Sequence, residues 1–301
     1  MRRTRFLCLA GIALVLMTSC VAAAQTPNAA SSSSTAAQTS KAGTPGAHGA
    51  LPEPAHVMVA IFENEDVSHV VGSANAPYLT ELANSAANFD DAHGEAHPSQ
   101  PNYLALFSGS TQGVTGDHCP IDLSGDNLAA QLQAAGKTFV GYSEGLPEAG
   151  YTGCKSGQYA RKHNPWVDFS DLPASVNQPF SALPANYADL PTVSFVVPDL
   201  CNDMHDCGVA TGDAWAREHL APYVSWATAH NSLLIVTFDE DNGSASNHIA
   251  TIVAGAGVRA THSTQRIDHY NVLRTLEDMY GLPALGKAAT ASPLAGIWNA
   301  G

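Results

Sequence analysis

Basic residues are scarce in this chain. It has 13 Lys and Arg against 27 Asp and Glu, a formal net charge of −14. Three arginines, Arg2, Arg3 and Arg5, lie at the extreme N-terminus; setting them aside leaves 10 basic residues and a net charge of −17. Such a surface repels nucleic acid and anionic membranes at long range, which excludes nucleic acid as a partner. It would also repel a phosphate substrate unless cations gather locally, and a bound divalent metal is the most concentrated cation a site can hold. Several signatures are missing as well: a Gly-rich phosphate loop, the HExxH pair of zinc peptidases and the GxSxG turn of α/β-hydrolases. There is no internal repeat, and beyond the N-terminus no apolar run is long enough to cross a bilayer.

What the N-terminus does contain reads as an export signal. Met1–Arg5 is basic, and Phe6–Met17 is apolar but short for a membrane span. Two processing sites compete. Met17-Thr18-Ser19-Cys20 resembles a lipobox that would leave Cys20 lipidated, and Ala22-Ala23-Ala24 is an ordinary signal-peptidase site. The expected product is therefore exported, as a periplasmic, secreted or cell-surface (outer-membrane) lipoprotein form, and it meets a membrane only through that lipid. Residues 25–52 are Ser, Ala, Thr, Gly, Pro and Gln with almost no large apolar side chain, a flexible linker. The catalytic domain is expected over 53–301. Four cysteines remain there, and an even count in an exported protein favours disulfides. Cys201 and Cys207 are close enough to close a small loop, which leaves Cys119 for Cys154.

The domain alternates strand and helix signals, which argues for an α/β fold with a central, mostly parallel sheet covered by helices on both faces. His56–Phe62, residues 138–142, 192–197, 233–238 and 249–254 read as strands. Helices are expected over 76–88, 101–108, 126–135 with Asp126 as cap, 212–230, and 268–280 with Asp268 as cap. Residues 143–190 are rich in Pro, Gly, Ser and Asn and are expected to form long loops around a substrate entrance.

Two apolar runs end in metal-ligand chemistry. His56–Phe62 runs into Glu63-Asn64, and Ser232–Phe238 runs into Asp239-Glu240-Asp241. Ligands of α/β sheets bind at the carboxyl ends of strands. Four oxygen donors, Glu63, Asn64, Asp239 and Glu240, suit one hard divalent ion, Ca²⁺, Mg²⁺ or Mn²⁺, with Zn²⁺ still open. Taken alone, each acid could equally cap a helix. Between the runs, His97-Pro98-Ser99-Gln100-Pro101 offers a hydroxyl in a Pro-bounded turn, either a metal-activated nucleophile or a plain helix cap. In Asn202-Asp203-Met204-His205-Asp206, His205 is flanked by carboxylates that would favour its cation, fit to bind phosphate oxygens or protonate a leaving alkoxide. His269 lies in Asp268-His269-Tyr270, at a helix start.

These segments resemble the bacterial phosphoesterase family of secreted acid phosphatases and phospholipase C enzymes, within the alkaline phosphatase superfamily. The matching stretches are His56–Asn64, Ala76–Ala86, His97–Gly109, Tyr159–Phe169, Pro191–Val197, Asn202–Trp215, Asn231–Gly243 and His269–Pro283, most of residues 55–298. The resemblance implies an alkaline-phosphatase-like α/β sheet. It implies metal held by Glu63, Asn64, Asp239 and Glu240, and Ser99 as nucleophile. It adds His205 with Asp206, His269 and, more weakly, His97 as further catalytic residues. The function it implies is phosphomonoester hydrolysis through a phosphoseryl intermediate by an acid phosphatase, and the chain is expected to be a monomer. Substrates would be phosphomonoesters, phosphoinositides and sugar phosphates among them. Two other readings are a phospholipase C-type phosphodiesterase and, from a different class, a lipoprotein that binds phosphorylated ligands without turnover.

Overall fold

The computed structural model describes residues 51–299, so the expected leader and all but the last two residues of the expected linker lie outside it. No helix among the described residues is long and apolar enough to cross a membrane. The run read as a first strand is β1, His56–Phe62, and Val57 to Phe62 are all buried. The helix α1, Pro77–Ser85, follows and then β2, Ala87–His93. The sequence predicts helix through Asn88; instead the chain turns to strand at Ala87. Pro101 sits in the first turn of α2, Gln100–Ser108, where its missing N–H costs nothing. Next come α3, Leu128–Ala134, and β3, Phe139–Ser143. The cap of α3 is Asn127, which accepts from the Ala130 N–H at 2.9 Å, rather than the expected Asp126. Loops, short 3₁₀ turns and a small hairpin, Lys155–Ser156 with Tyr159–Ala160, fill the region expected to be irregular. The short β4, Asn177–Pro179, precedes β5, Val193–Val197.

The long helix α4, Val209–Ala229, leads to β6, Ser232–Phe238, and β7, His248–Gly255. A strand the sequence did not announce, β8, Thr261–Asp268, alternates half-buried and exposed side chains. It feeds α5, His269–Met279, where Asp268 and Asn271 form a capping box as expected. Both predicted disulfides are present, Cys119–Cys154 and Cys201–Cys207.

The sheet order is β8-β2-β7-β6-β1-β5-β3-β4, and β7 alone runs antiparallel to its neighbours. The crossovers β1-α1-β2 and β5-α4-β6 run toward the β8 edge, and β2-α2-α3-β3 runs back. Right-handed connections of opposite sense put their helices on opposite faces of the sheet. The packing agrees, with α1 against α4 on one side and α2 against α3 and α5 on the other.

This topology brings the ends of seven strands to one edge. β1 and β6 pair from His56↔Ser232 to Phe62↔Phe238, so the two apolar runs finish level. Phe62 and Phe238, both buried, pack with ring centroids 5.6 Å apart beneath that edge. The residues that follow them, Glu63 and Asp239, are thereby set side by side. β2 ends at the same edge and leads to Ser99; β5 leads to Asp203 and His205, and β8 to His269.

Candidate active site

The strand-end carboxylates are joined by backbone as well as by position. The Asp239 N–H donates to the Phe62 carbonyl at 2.9 Å, and the Asn64 N–H donates to Asp239 Oδ1 at 3.2 Å. Asn64 has φ of 58°, in the left-handed region that Asn tolerates better than most residues. That turn lets its side-chain amide donate to Glu63 Oε2 at 3.1 Å. At Gly94, a Cβ would lie 2.6 Å from the Asp239 carbonyl oxygen, so the loop leaving β2 needs glycine to pass this close to the β6 end.

Ser99 occupies the cap position of α2, yet its side chain caps nothing. The hydroxyl donates instead to Glu63 Oε2 at 2.9 Å and lies 3.3 Å from Glu240 Oε1. The turn that presents it is tied by Asn102, whose Oδ1 accepts from the Glu95 and Ala96 N–H groups at 2.9 Å each. Its amide returns a bond to the Ala96 carbonyl at 2.8 Å. The structure therefore assembles Glu63, Asn64, Ser99, Asp239 and Glu240 in one place, from three strands far apart in sequence.

Four further residues join them that the sequence reading left unassigned. Tyr103 donates to Glu63 Oε1 at 2.5 Å. His163 is buried, stacks on Tyr103 with centroids 5.1 Å apart, and sets Nε2 3.1 Å from Glu63 Oε1 and Nδ1 3.3 Å from Asp203 Oδ2. Asp203 is also buried, and its carbonyl accepts the Glu63 N–H at 2.9 Å. Lys162 places Nζ 2.7 Å from Asp117 Oδ2 and 3.3 Å from His205 Nε2. Asp117 also accepts the Gln100 N–H at 3.1 Å, which links Lys162 to the first turn of the helix that carries Ser99. The available signal was membership of the matching stretches, His97–Gly109 for Tyr103, Tyr159–Phe169 for Lys162 and His163, and Asn202–Trp215 for Asp203; the loop setting of Lys162 and His163 gave no periodicity to single them out.

The remaining expected residues surround this centre. His205 Nδ1 is 2.8 Å from Asp206 Oδ1, so Asp206 orients the ring from a half-exposed position. Asp203 does not face the ring; it accepts the His205 backbone N–H at 2.8 Å, and Lys162 takes the side where a second carboxylate was expected. His97 holds Glu240 Oε2 at 2.5 Å from Nδ1 and has Nε2 3.1 Å from the Ser244 carbonyl. His269 was expected to touch substrate. Both its nitrogens are engaged inside the protein, Nδ1 with Glu95 Oε2 at 2.5 Å and Nε2 with the Phe238 carbonyl at 2.9 Å. Burial works against its charge, but the Glu95 carboxylate overcomes this and pushes its pKa up to about 9. These contacts tie His269 to Glu95 and to the backbone just before Asp239.

Electrostatically the cluster is an acid trap. Burial, then the charge of Asp203, raises the Glu63 carboxyl well above its ordinary range. Burial, then Glu63 and Glu240, does the same to Asp239. Burial pushes Asp203 up to about 8, with the Asp239 charge adding to it, and burial also raises Glu240. Burial, then the charges of Lys162 and His205, holds His163 well below the usual imidazole value and so keeps it neutral. Three buried atoms here, Asp239 Oδ2, Asp203 Oδ2 and His163 Nε2, have no hydrogen-bond partner. Orphaned buried acceptors are costly, and a cation among them removes both that cost and the like-charge repulsion. The residues present therefore fit a divalent metal. Donor atoms of Glu63, His163 and His205 also lie within 4.8 Å of one another, which extends the possible ligand set on the Oε1 side of Glu63.

The family model described as "Phosphoesterase family" matches residues 72–283, a span that includes Ser99, His163, His205, Asp239, Glu240 and His269 but begins after Glu63 and Asn64. The chain is 49% identical over 253 residues to a phosphatidylinositol-3-phosphatase of Mycobacterium tuberculosis, covering 83% of this chain and 85% of that one. It is 29% identical over 249 residues to an acid phosphatase of Aspergillus fumigatus, covering 75% of this chain. A phosphate-repressible acid phosphatase of Penicillium chrysogenum is 30% identical over 247 residues. The chain spans 55% and 59% of the lengths of these two fungal relatives. Among solved structures, a protein of the alkaline phosphatase superfamily from Vibrio parahaemolyticus superposes with a TM-score of 0.56 at 13% identity, over 81% of this chain and 71% of that one. A lipoteichoic acid synthase from Listeria monocytogenes gives 0.57 at 9% identity, over 81% and 76%. Likeness at these identities shows the fold.

Proposed function

The chain belongs to the phosphoesterase family, and we propose on that footing that it hydrolyses phosphate monoesters with Ser99 as the phosphoryl acceptor. The observation that carries the assignment is the Ser99 hydroxyl: at a helix cap it forgoes the capping bond and points into the Glu63–Glu240 carboxylate pair. Glu63, Asn64, Asp239 and Glu240 would hold a divalent metal, with His163 extending the set and His205 left free to donate a proton. Bound there, the metal would neutralise the carboxylates, ease ionisation of the Ser99 hydroxyl and polarise the phosphoryl group.

The chain's own groups do the rest. The Ser99 proton has a carboxylate acceptor at 2.9 Å as its oxygen attacks phosphorus and the alkoxide departs on the opposite side. The dipole of α2, whose N-terminus lies at Ser99, favours the negative charge that builds up beside it. Lys162 and His205 supply cationic and proton-donating groups toward the phosphoryl oxygens and the leaving alkoxide. Water then hydrolyses the phosphoseryl ester and regenerates the Ser99 hydroxyl. Asp206 holds His205, His97 holds Glu240, and His269 holds the β6 end.

The name of the mycobacterial relative supports phosphomonoesters on polyols as substrates, phosphoinositides and sugar phosphates included. The basic-apolar leader supports export of the catalytic domain at 53–301. A direct test compares p-nitrophenyl phosphate with p-nitrophenylphosphorylcholine. The expected result is turnover of the monoester at least about tenfold above the diester in kcat/KM. The reverse preference would make the protein a phospholipase C-type diesterase, and retained phosphate binding with no turnover of either would make it a binding protein.

A further inference from the structure

A cavity of about 250 Å³ is lined by Lys155, Lys162, His118, His205 and the Cys119–Cys154 disulfide, and by the carboxylates of Asp117 and Asp206. His205 also sets a donor atom within 4.8 Å of those of Glu63 and His163, and its Nε2 is 3.3 Å from Lys162 Nζ, so the cavity adjoins the reaction centre at His205. It is smaller than the ~300–1,000 Å³ that holds drug-sized ligands. A group of monosaccharide or cyclitol size suits it.

Charge distinguishes one of its residues. Among the described residues there are nine Lys and Arg. Six of them, Lys162 included, lie in ion pairs with carboxylates. Arg259 donates to the Gly296 carbonyl, and Lys287 sits over the Tyr270 ring. Lys155 alone has none of these side-chain partners. It is also firmly mounted. Cys154 ties the preceding position to Cys119, the Arg161 N–H donates to the Cys154 carbonyl at 3.0 Å, and Lys155 pairs with Ala160 across the small hairpin. Arg161, buried against Asp168, further pins the stretch by donating to the Thr152 carbonyl at 2.8 Å. The backbone of Lys155 is fixed while its side chain is exposed and without a carboxylate partner; Asp117 and Asp206, also at the cavity, are already engaged by Lys162 and His205, so the Lys155 ammonium is left to meet an anion brought by a ligand.

We propose that this cavity is a leaving-group subsite that selects phosphomonoesters whose alcohol portion carries a second phosphoryl group, with Lys155 as the residue that recognises it. This rests on Ser99 being the phosphoryl acceptor. The second group is either a monoester, as on a soluble polyol bisphosphate, or the diester of a phosphoinositide headgroup. Both present the same anionic oxygens to Lys155.

The test measures kcat and KM for wild type, Lys155→Glu and Lys155→Arg on p-nitrophenyl phosphate, glucose 6-phosphate, glucose 1,6-bisphosphate and a short-chain phosphatidylinositol 3-phosphate. The quantity read is the ratio of kcat/KM for each doubly phosphorylated substrate to that for p-nitrophenyl phosphate, which normalises for any general damage. Lys155→Glu is expected to lower this ratio about tenfold or more, chiefly through KM, while Lys155→Arg keeps it. The glucose 6-phosphate ratio should move little. Salt at 0.5 M should shrink the wild-type preference, since a charge at a rim is screened. A fall confined to the lipid substrate identifies the diester as the second anion, and a fall confined to glucose 1,6-bisphosphate identifies the monoester. An unchanged ratio for both in Lys155→Glu overturns the subsite. No wild-type turnover of p-nitrophenyl phosphate overturns the phosphatase reading instead, so the two failures are told apart.

Discussion

Replacing Ser99 by alanine is expected to lower kcat for p-nitrophenyl phosphate by at least about 10³-fold, the scale of removing a nucleophile from an otherwise intact site. The fold should survive the change. Ser99 is buried but makes no capping bond, and the substitution removes one small hydroxyl from a pocket whose shape is set by Asn102, Tyr103 and the strand ends. The thermal midpoint of Ser99→Ala should therefore stay close to that of wild type. Activity lost together with cooperative unfolding would be uninformative about chemistry, which is why both are measured. Ser99→Ala retaining more than about a tenth of wild-type kcat, in a folded protein, would remove Ser99 from the reaction.

Removing bound metal should have the second large effect, and stability reports it independently of turnover. Metal at 100 times its Kd stabilises the folded state by about 2.7 kcal/mol. For a domain of this size that is a fall of roughly 5–10 °C in Tm on chelation. The pH dependence has a defined sign. Glu63, Asp203 and Asp239 have folded pKa values raised above their unfolded ones, Asp203 to about 8. Stability from such groups is complete below the unfolded carboxylate pKa of ~4 and is lost as pH rises through the folded value. His269, also raised, loses its contribution in the same direction, toward about 9. His163 is lowered, so its contribution is complete above ~6.5 and lost only below. Between pH 6.5 and 8.5 the chelated protein should therefore become steadily less stable. Metal needs the same carboxylates ionised, so the gap in Tm between loaded and chelated protein should widen over that window. Asp239→Asn should abolish the gap while leaving the chelated protein at least as stable as chelated wild type, because one buried like charge is gone. A gap that narrows with pH, or that persists in Asp239→Asn, would place the metal elsewhere.

Much of this arrangement could be read from the sequence because burial leaves a compositional trace. β1 and β6 lie inside a parallel sheet and are apolar throughout, so their ends, and the acids beyond them, were visible. The Pro-bounded Ser99 turn and the Asp268 cap were visible for local reasons, as were the paired cysteines. β2 and β8 were not. β8 is the edge strand and β2 its neighbour; Asp90 and Asp91 of β2 and Thr261, Ser263, Gln265 and Arg266 of β8 reach solvent, and with the buried polar Asn88 they leave no apolar run. Asp203, Lys162 and His163 were missed as site residues for another reason. They sit on loops, and only the meeting of β1, β5 and the Arg161–His163 turn brings them to Glu63. The sequence predicts a direct catalytic part for His269, but short-range spacing carries no information about Glu95 and the Phe238 carbonyl, which take both its nitrogens.

The covalent step is the centre of the account, and trapping it tests the account most directly. Metal-loaded wild type would be mixed with a phosphomonoester, quenched with acid within the first turnover and digested for mass spectrometry. Phosphate is expected on the peptide containing Ser99, on that residue, and absent from Ser99→Ala treated alike. Phosphate found on a histidine such as His205, or rapid turnover with no phosphorylated peptide at any quench time, would contradict it.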